Sequence, residues 1–182
     1  MVQRSTFTCA YCKKDIPFDQ RAHDCVPPKT PVIVCDLDGT LCDLNGRHPF
    51  DFDECDTDLL VEAVNVAVKA LANHFRWNVT FLSGRPECAR AKTSLWLARN
   101  GWAYGRKGTR QPYDALYLRD NDDYRPNDEY KRDVLTNDIL PTYDVKLAFE
   151  DNASTVAVMR QLGLPVWDVA GVEYAIKEET RS

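Results

Sequence analysis

The sequence predicts an α/β protein: a doubly wound, mostly parallel, Rossmann-like sheet with a small N-terminal element that carries candidate zinc ligands. Three observations predict it. Short strand-length runs, rich in apolar and β-branched residues, recur at 32–35, 78–82, 115–119, 145–149 and 165–169. Helical patterns lie between them, and strands alternating with helices at such intervals build parallel βαβ units. The first run ends on Asp36 and Asp38 ahead of Gly39, so two carboxylates stand beyond the carboxyl end of a strand, where open parallel sheets bind ligands.

In chain order, Cys9-Ala-Tyr-Cys12 is followed after ten residues by His23-Asp24-Cys25. Cys9, Cys12, His23 and Cys25 are four soft or borderline donors, the number that tetrahedral zinc takes. A segment this short cannot build its own core, and a structural Zn²⁺ would explain how it folds. Pro27, Pro28 and Pro31 mark a stiff linker. The expected division is therefore 1–29 for the zinc-binding element with its linker and 30–182 for the main domain.

Within that domain, Val32 to Cys35 reads as a strand buried on both faces. Cys42 to Asp58 is too polar and too punctuated by Gly and Pro for a regular element, and reads as a loop over the site. Leu59, Leu60, Ala63, Val64, Ala67, Val68 and Leu71 recur at helical spacing, predicting a helix from Asp58 to His74. Asn78 to Leu82 is the second strand, closed by Ser83-Gly84-Arg85, and Pro86 opens the next helix, which runs to Asn100 before Gly101. Ala115 to Arg119 is a strand, Asn127 to Ile139 a helix ended before Pro141, and Val145 to Phe149 a strand closed by Glu150-Asp151. Asn152 caps a helix to Gly163, and Pro165 to Val169 is the last strand.

The chain has 182 residues, 44% hydrophobic and 28% charged, ordinary globular values. No apolar run approaches the roughly 18 residues that span a membrane, and the start, MVQRSTFTCAYCKK, lacks a secretory signal core. A cytoplasmic protein with reduced thiols is expected. The net charge of −5 argues against general coating of nucleic acid, but residues 85–132 carry a net +4. Trp96, Trp102 and Tyr104 interleave with that basic stretch; such a combination stacks bases while pairing phosphates, or else forms a half-buried aromatic face. Gly101 to Thr109 does not fit G-x-x-x-x-G-K-[ST], so no kinase site is expected.

Asp36 and Asp38, two residues apart in an extended segment, point to one side, and acids this close call for a cation such as Mg²⁺. The stretch Asp36-Leu37-Asp38-Gly39-Thr40-Leu41 resembles the first motif of the haloacid-dehalogenase-like (HAD) phosphotransferases. That resemblance implies Asp36 as a nucleophile forming an aspartyl-phosphate and Asp38 as general acid, then base. Ser83 matches the second motif, which bonds the phosphoryl group, and Lys131 the third, which offsets negative charge. Glu150 and Asp151 match the acidic fourth motif. With Asp36 and the backbone carbonyl of Asp38 they would hold Mg²⁺.

The match sharpens toward the 3′-phosphatase domains of bacteriophage polynucleotide kinase-phosphatases. Asn45-Gly46-Arg47 with Cys55-Asp56-Thr57-Asp58, then FLSGR, RPNDEYK and VKLAFEDN, are similar to that group over about Val32 to Ala170. By resemblance Thr40, Arg47, Gly84, Arg85 and Asn127 would bind substrate. Asn127 stands where the group has Asp, and Glu150 where it has the first of two Asp. The implied function is Mg²⁺-dependent removal of 3′-phosphate from DNA or RNA ends, with a separate kinase or ligase as partner and, for a phage-encoded chain, the host cytoplasm as its place. The alternatives are a nucleotidase or small-ester phosphatase of the same chemistry, and a zinc-containing module that binds nucleic acid or protein.

Overall fold

The structure, a computed structural model, describes residues 6–10, 12–17, 25, 27–105 and 111–170. The chain opens on an antiparallel hairpin, β1 (Thr6–Thr8) with β2 (Asp15–Pro17). β3 (Thr30–Cys35) follows, then β4 (Cys42–Asp43), β5 (Leu59–Leu60), α1 (Glu62–Phe75), β6 (Asn78–Pro86) and α2 (Arg90–Arg99). After these come β7 (Trp102–Tyr104), β8 (Gln111–Tyr113), β9 (Ala115–Arg119), α3 (Asn127–Val134), α4 (Leu140–Thr142), β10 (Tyr143–Glu150), α5 (Ala153–Gln161) and β11 (Val166–Asp168). No helix among the described residues is long and apolar enough to cross a membrane.

The central sheet has five strands in the order β11-β10-β3-β6-β9, every neighbouring pair parallel. Val32, Ile33, Val34 and Cys35 of β3 are wholly buried, because helices cover both faces and successive side chains alternate between them. Ile33 and Cys35 join Phe81, Phe149, the α1 residues Val64 and Val68, and Trp96 on one face. Val32 and Val34 join Leu82, Tyr130, Leu135 and Met159 on the other. From β3 the chain winds outward through β6 and β9 on one side, then through β10 and β11 on the other. The order therefore reverses between β3 and β10, and the crevice there is where a ligand site belongs.

Several boundaries differ from the sequence reading, each for a physical reason. The stretch 42–58 is not all loop: Cys42 pairs with Leu60 and Asp43 with Leu59 across its base, and Phe52–Thr57 forms a 3₁₀ helix. α1 accordingly starts at Glu62 rather than Asp58. The second strand runs on to Pro86, with its register against β9 shifting between Leu82 and Pro86. Pro86 is itself extended, and a 3₁₀ turn at Glu87–Ala89 precedes α2. Pro141 does not end the third helix. A π turn at Leu135–Ile139 leads into α4, whose first turn holds Pro141, where a missing N–H is harmless. Trp102–Tyr104, whose aromatics interleave with the basic stretch, pairs in parallel with β8; Arg106, Lys107 and Arg110 lie outside the described residues. Trp96 and Trp102 are 2% and 0% exposed, so neither ring is available to a base.

Candidate active site

The exit of β3 is built by backbone hydrogen bonds. Asp36 N–H donates to Phe149 O at 3.0 Å, tying it to β10, and Leu37 O accepts from the N–H groups of Thr40, Leu41 and Cys42. This tight turn needs Gly39 at φ +87°, and a Cβ there would run into the Asp151 carboxylate. Thr40, fully buried, donates through Oγ1 to Asp151 Oδ1 at 2.9 Å. The ends of β3 and β10 are thereby locked together across the switch point.

Two charge clusters meet there. In the first, Lys131 Nζ lies 2.6 Å from Asp36 Oδ1 and 2.7 Å from Glu150 Oε2, with all three side chains at most 6% exposed. Burial pushes Asp36 well above its ordinary pKa, the Glu150 carboxylate adds to this, and Lys131 only partly opposes them. Burial alone would lower the Lys131 pKa, but Asp36 and Glu150 outweigh it and keep the ammonium charged. Asp36, Glu150 and Asp151 each offer an oxygen within 4.8 Å of the others. Three carboxylates against one ammonium leave excess negative charge and hard oxygen donors, a set that fits Mg²⁺. The Asp38 side chain is turned elsewhere, so Asp38 could contribute only its backbone carbonyl.

In the second cluster, Arg85 grips Asp38 in a fork, Nε to Oδ2 and Nη2 to Oδ1, both at 2.7 Å. Arg47 Nη2 reaches Asp38 Oδ1 at 2.8 Å. Both arginines also hold Asp58: Arg47 through Nε at 2.6 Å and Nη2 at 2.8 Å, Arg85 through Nη2 at 2.5 Å. Bidentate guanidinium–carboxylate geometry is the strong form of this interaction. Burial works to raise the Asp38 pKa, but Arg85 and then Arg47 prevail and hold it below the ordinary value. Ser83 is fully buried, its Oγ 3.4 Å from Asp38 Oδ2 and accepting from Arg85 N–H at 3.2 Å.

Above both clusters opens a cleft of about 840 Å³. Asp36, Asp38, Gly84, Arg85, Asn127 and Asp151 reach its surface, whereas Thr40 and Lys131 are buried behind it. A Cβ on Gly84 would sit 2.5 Å from Asn127 Oδ1, so that glycine keeps the floor open. Phe50 and Tyr124 stand on the cleft wall 79% and 88% exposed.

The sequence reading missed Asp58 and Arg119 as site residues. Asp58 is the shared counter-ion, and the signal for it was its place in the Cys55-Asp56-Thr57-Asp58 motif, which carried the resemblance but was given no role. Arg119 lines the cleft, with Nη2 3.3 Å from Asn127 Oδ1 and its guanidinium 4.7 Å from the Tyr130 ring. No short motif flags it. Far from the cleft in sequence, Cys9, Cys12 and Cys25 come together, each Sγ within 4.8 Å of the others; His23 lies outside the described residues.

Residues 30–174 match the family model described as the polynucleotide kinase PNKP phosphatase domain. A protein of Autographa californica nuclear polyhedrosis virus, named as a bifunctional polynucleotide kinase/RNA ligase, is 27% identical over 135 residues, 73% of this chain and 18% of that protein. A chain of the Pnkp1/Rnl/Hen1 RNA repair complex superposes with a TM-score of 0.70 at 31% identity, over 88% of this chain and 50% of that one. A second structure of the Pnkp1/Rnl/Hen1 complex gives the same TM-score at 30% identity, over 88% of this chain and 55% of the other. The chain thus spans about half the length of these solved relatives and under a fifth of the viral protein.

Proposed function

The chain belongs to the polynucleotide kinase PNKP phosphatase-domain family, and from that premise we propose that it removes 3′-phosphate from DNA or RNA ends through an aspartyl-phosphate on Asp36. The observation that carries the proposal is the Asp36 carboxylate at the cleft floor, with one oxygen held 2.6 Å from buried Lys131 and Asp38 clamped beside it. In this reading the free Asp36 oxygen attacks phosphorus and the bond from phosphorus to the 3′ oxygen breaks. Asp38 gives the leaving oxygen its proton, then takes one from the water that cleaves the aspartyl-phosphate, as one carboxyl can in two successive steps.

Asp38 must hold a proton for the first step, yet Arg85 and Arg47 favour its charged form. An incoming phosphate offers those guanidiniums a competing dianion. Once they turn to it, Asp38 loses their stabilisation of its anion, burial prevails, and its affinity for a proton rises. Arg47 and Arg85 therefore serve in turn as the restraint on the acid and as phosphate ligands. Asp36, Glu150 and Asp151 are the residues that would hold Mg²⁺; bound there, the ion supplies charge neutralisation for the phosphoryl oxygens. In this reading Ser83, whose Oγ sits beside Asp38, bonds the phosphoryl group once the arginines turn, Thr40 orients Asp151, and Gly84 and Asn127 shape the floor.

A polynucleotide is favoured over a small ester by the exposed rings of Phe50 and Tyr124 on the cleft wall, since base stacking is worth about 1–3 kcal/mol per base. The viral relative named as a kinase/RNA ligase supports a separate ligase or kinase as the partner. Phosphate release is to be compared for a 3′-phosphorylated oligonucleotide, the same oligonucleotide with a 5′-phosphate, and a free nucleoside 3′-monophosphate. Preference for the first is expected; preference for the free nucleotide would overturn the substrate while sparing the chemistry.

A further inference from the structure

We propose that Cys9, Cys12 and Cys25 form a structural zinc site that staples the N-terminal hairpin, independent of the phosphatase chemistry. The turn between β1 and β2 is shaped to present a C-x-x-C pair. Cys9 N–H donates to Lys14 O at 2.9 Å and Lys13 N–H returns to Cys9 O at 3.1 Å, with Lys13 in the left-handed region at φ +57°. These two backbone hydrogen bonds close the turn that brings Cys9 and Cys12 together. Cys25, thirteen residues beyond Cys12, comes back to the same spot, its Sγ 3.6 Å from that of Cys9.

That distance excludes a bond between the two sulfurs. A disulfide would hold the sulfurs at about 2.05 Å. Two thiolates on one tetrahedral zinc, each at about 2.3 Å from it, stand about 3.8 Å apart. The observed 3.6 Å is too long for a disulfide and is a close thiol contact that leaves both sulfurs within reach of one ion. Cys9 is 6% exposed and Ile16 7%, while the strands on either side of the turn are only three residues each. An isolated two-stranded hairpin is marginal in water, and a segment with so few apolar groups has little else to fix it. Three cysteine sulfurs gathered at one point are the soft donor set that zinc takes.

The site asks for one zinc per chain, with three thiolates and a fourth, non-thiolate ligand. Protein purified without added chelator is expected to contain about one equivalent of zinc, and a Cys9→Ser/Cys12→Ser variant none, with phosphate release unchanged in both. Replacing zinc by Co²⁺ in the unmutated chain is expected to give the intense thiolate-to-cobalt charge-transfer band and the visible bands of a tetrahedral ion. Absence of metal together with three freely alkylated thiols would overturn the proposal. So would a disulfide joining any two of the three, found by mass spectrometry of natively alkylated protein. Because the readout is metal content and spectrum, failure here leaves the phosphatase reading untouched, and loss of phosphatase activity leaves this one untouched.

Discussion

Substituting Asp58 by Asn probes the arginine clamp without touching the cleft. Asp58 accepts three charged hydrogen bonds, at 2.6, 2.8 and 2.5 Å, from Arg47 and Arg85, and its side chain is 0% exposed against 3% and 0% for its partners. Breaking a buried ion pair by removing one partner costs about 3–5 kcal/mol. Both arginines keep Asp38, and Asn keeps one acceptor oxygen, so the lower end, about 3 kcal/mol, applies. For a chain of this size that is a fall in Tm of about 6–12 °C. Catalysis should suffer separately. With Asp58 neutral, Arg85 and Arg47 lean wholly on Asp38, which strengthens the restraint on the acid and loosens its geometry. A drop of about tenfold in kcat on a 3′-phosphorylated oligonucleotide corresponds to about 1.4 kcal/mol in the barrier. The assays are thermal unfolding and phosphate release at saturating substrate. A double-mutant cycle of Asp58→Ala with Arg47→Ala should show a coupling of about 1–3 kcal/mol. A Tm within about 2 °C of the unmutated protein with unchanged kcat would refute the idea that Asp58 positions the arginines.

Two further outcomes follow from the same geometry. Asp36 is pushed well above its ordinary pKa by burial and by Glu150, so the folded chain holds that proton more tightly than the unfolded one. Its contribution to stability is full below about pH 4 and is lost as pH rises through the raised value. Metal-free protein should therefore lose Tm as pH climbs above that range, and Asp36→Asn, inactive, should flatten the slope; an equal slope in both proteins would show that another group is responsible. Gly39→Ala places a Cβ against the Asp151 carboxylate at a φ of +87°, so it should destabilise by more than about 1 kcal/mol and raise the Mg²⁺ concentration needed for half-maximal phosphate release. An unchanged Mg²⁺ requirement would mean that Asp151 does not depend on that turn.

The central sheet was legible because its signal is local. Val32 to Cys35 reads as a strand buried on both faces from its β-branched run, and Asp36 at its end marks the crevice. The pairing of Lys131 with Asp36 was legible through motif order, since no spacing rule links residues 95 positions apart. What escaped was set by contacts between distant segments. Ser83 to Arg85 reads as the turn that closes a strand and Pro86 as a helix start, yet all four residues stay in β6, from which Arg85 reaches Asp38 and Asp58. Leu59 and Leu60 fit a helical pattern as well as a strand, and pairing with Cys42 and Asp43 decided between them. Trp96 and Trp102 sit among basic residues in sequence, but packing against Phe81 and its neighbours takes both rings out of reach of solvent.

The central claim is that Asp36 carries the phosphoryl group. Its most direct test is rapid acid quench of the protein with a 3′-phosphorylated oligonucleotide and Mg²⁺, followed by mass spectrometry of the peptide containing Asp36. The account predicts that this peptide gains the mass of one phosphoryl group within a single turnover. Steady phosphate release with an unmodified Asp36 peptide at every quench time, or undiminished turnover by Asp36→Asn, would contradict it.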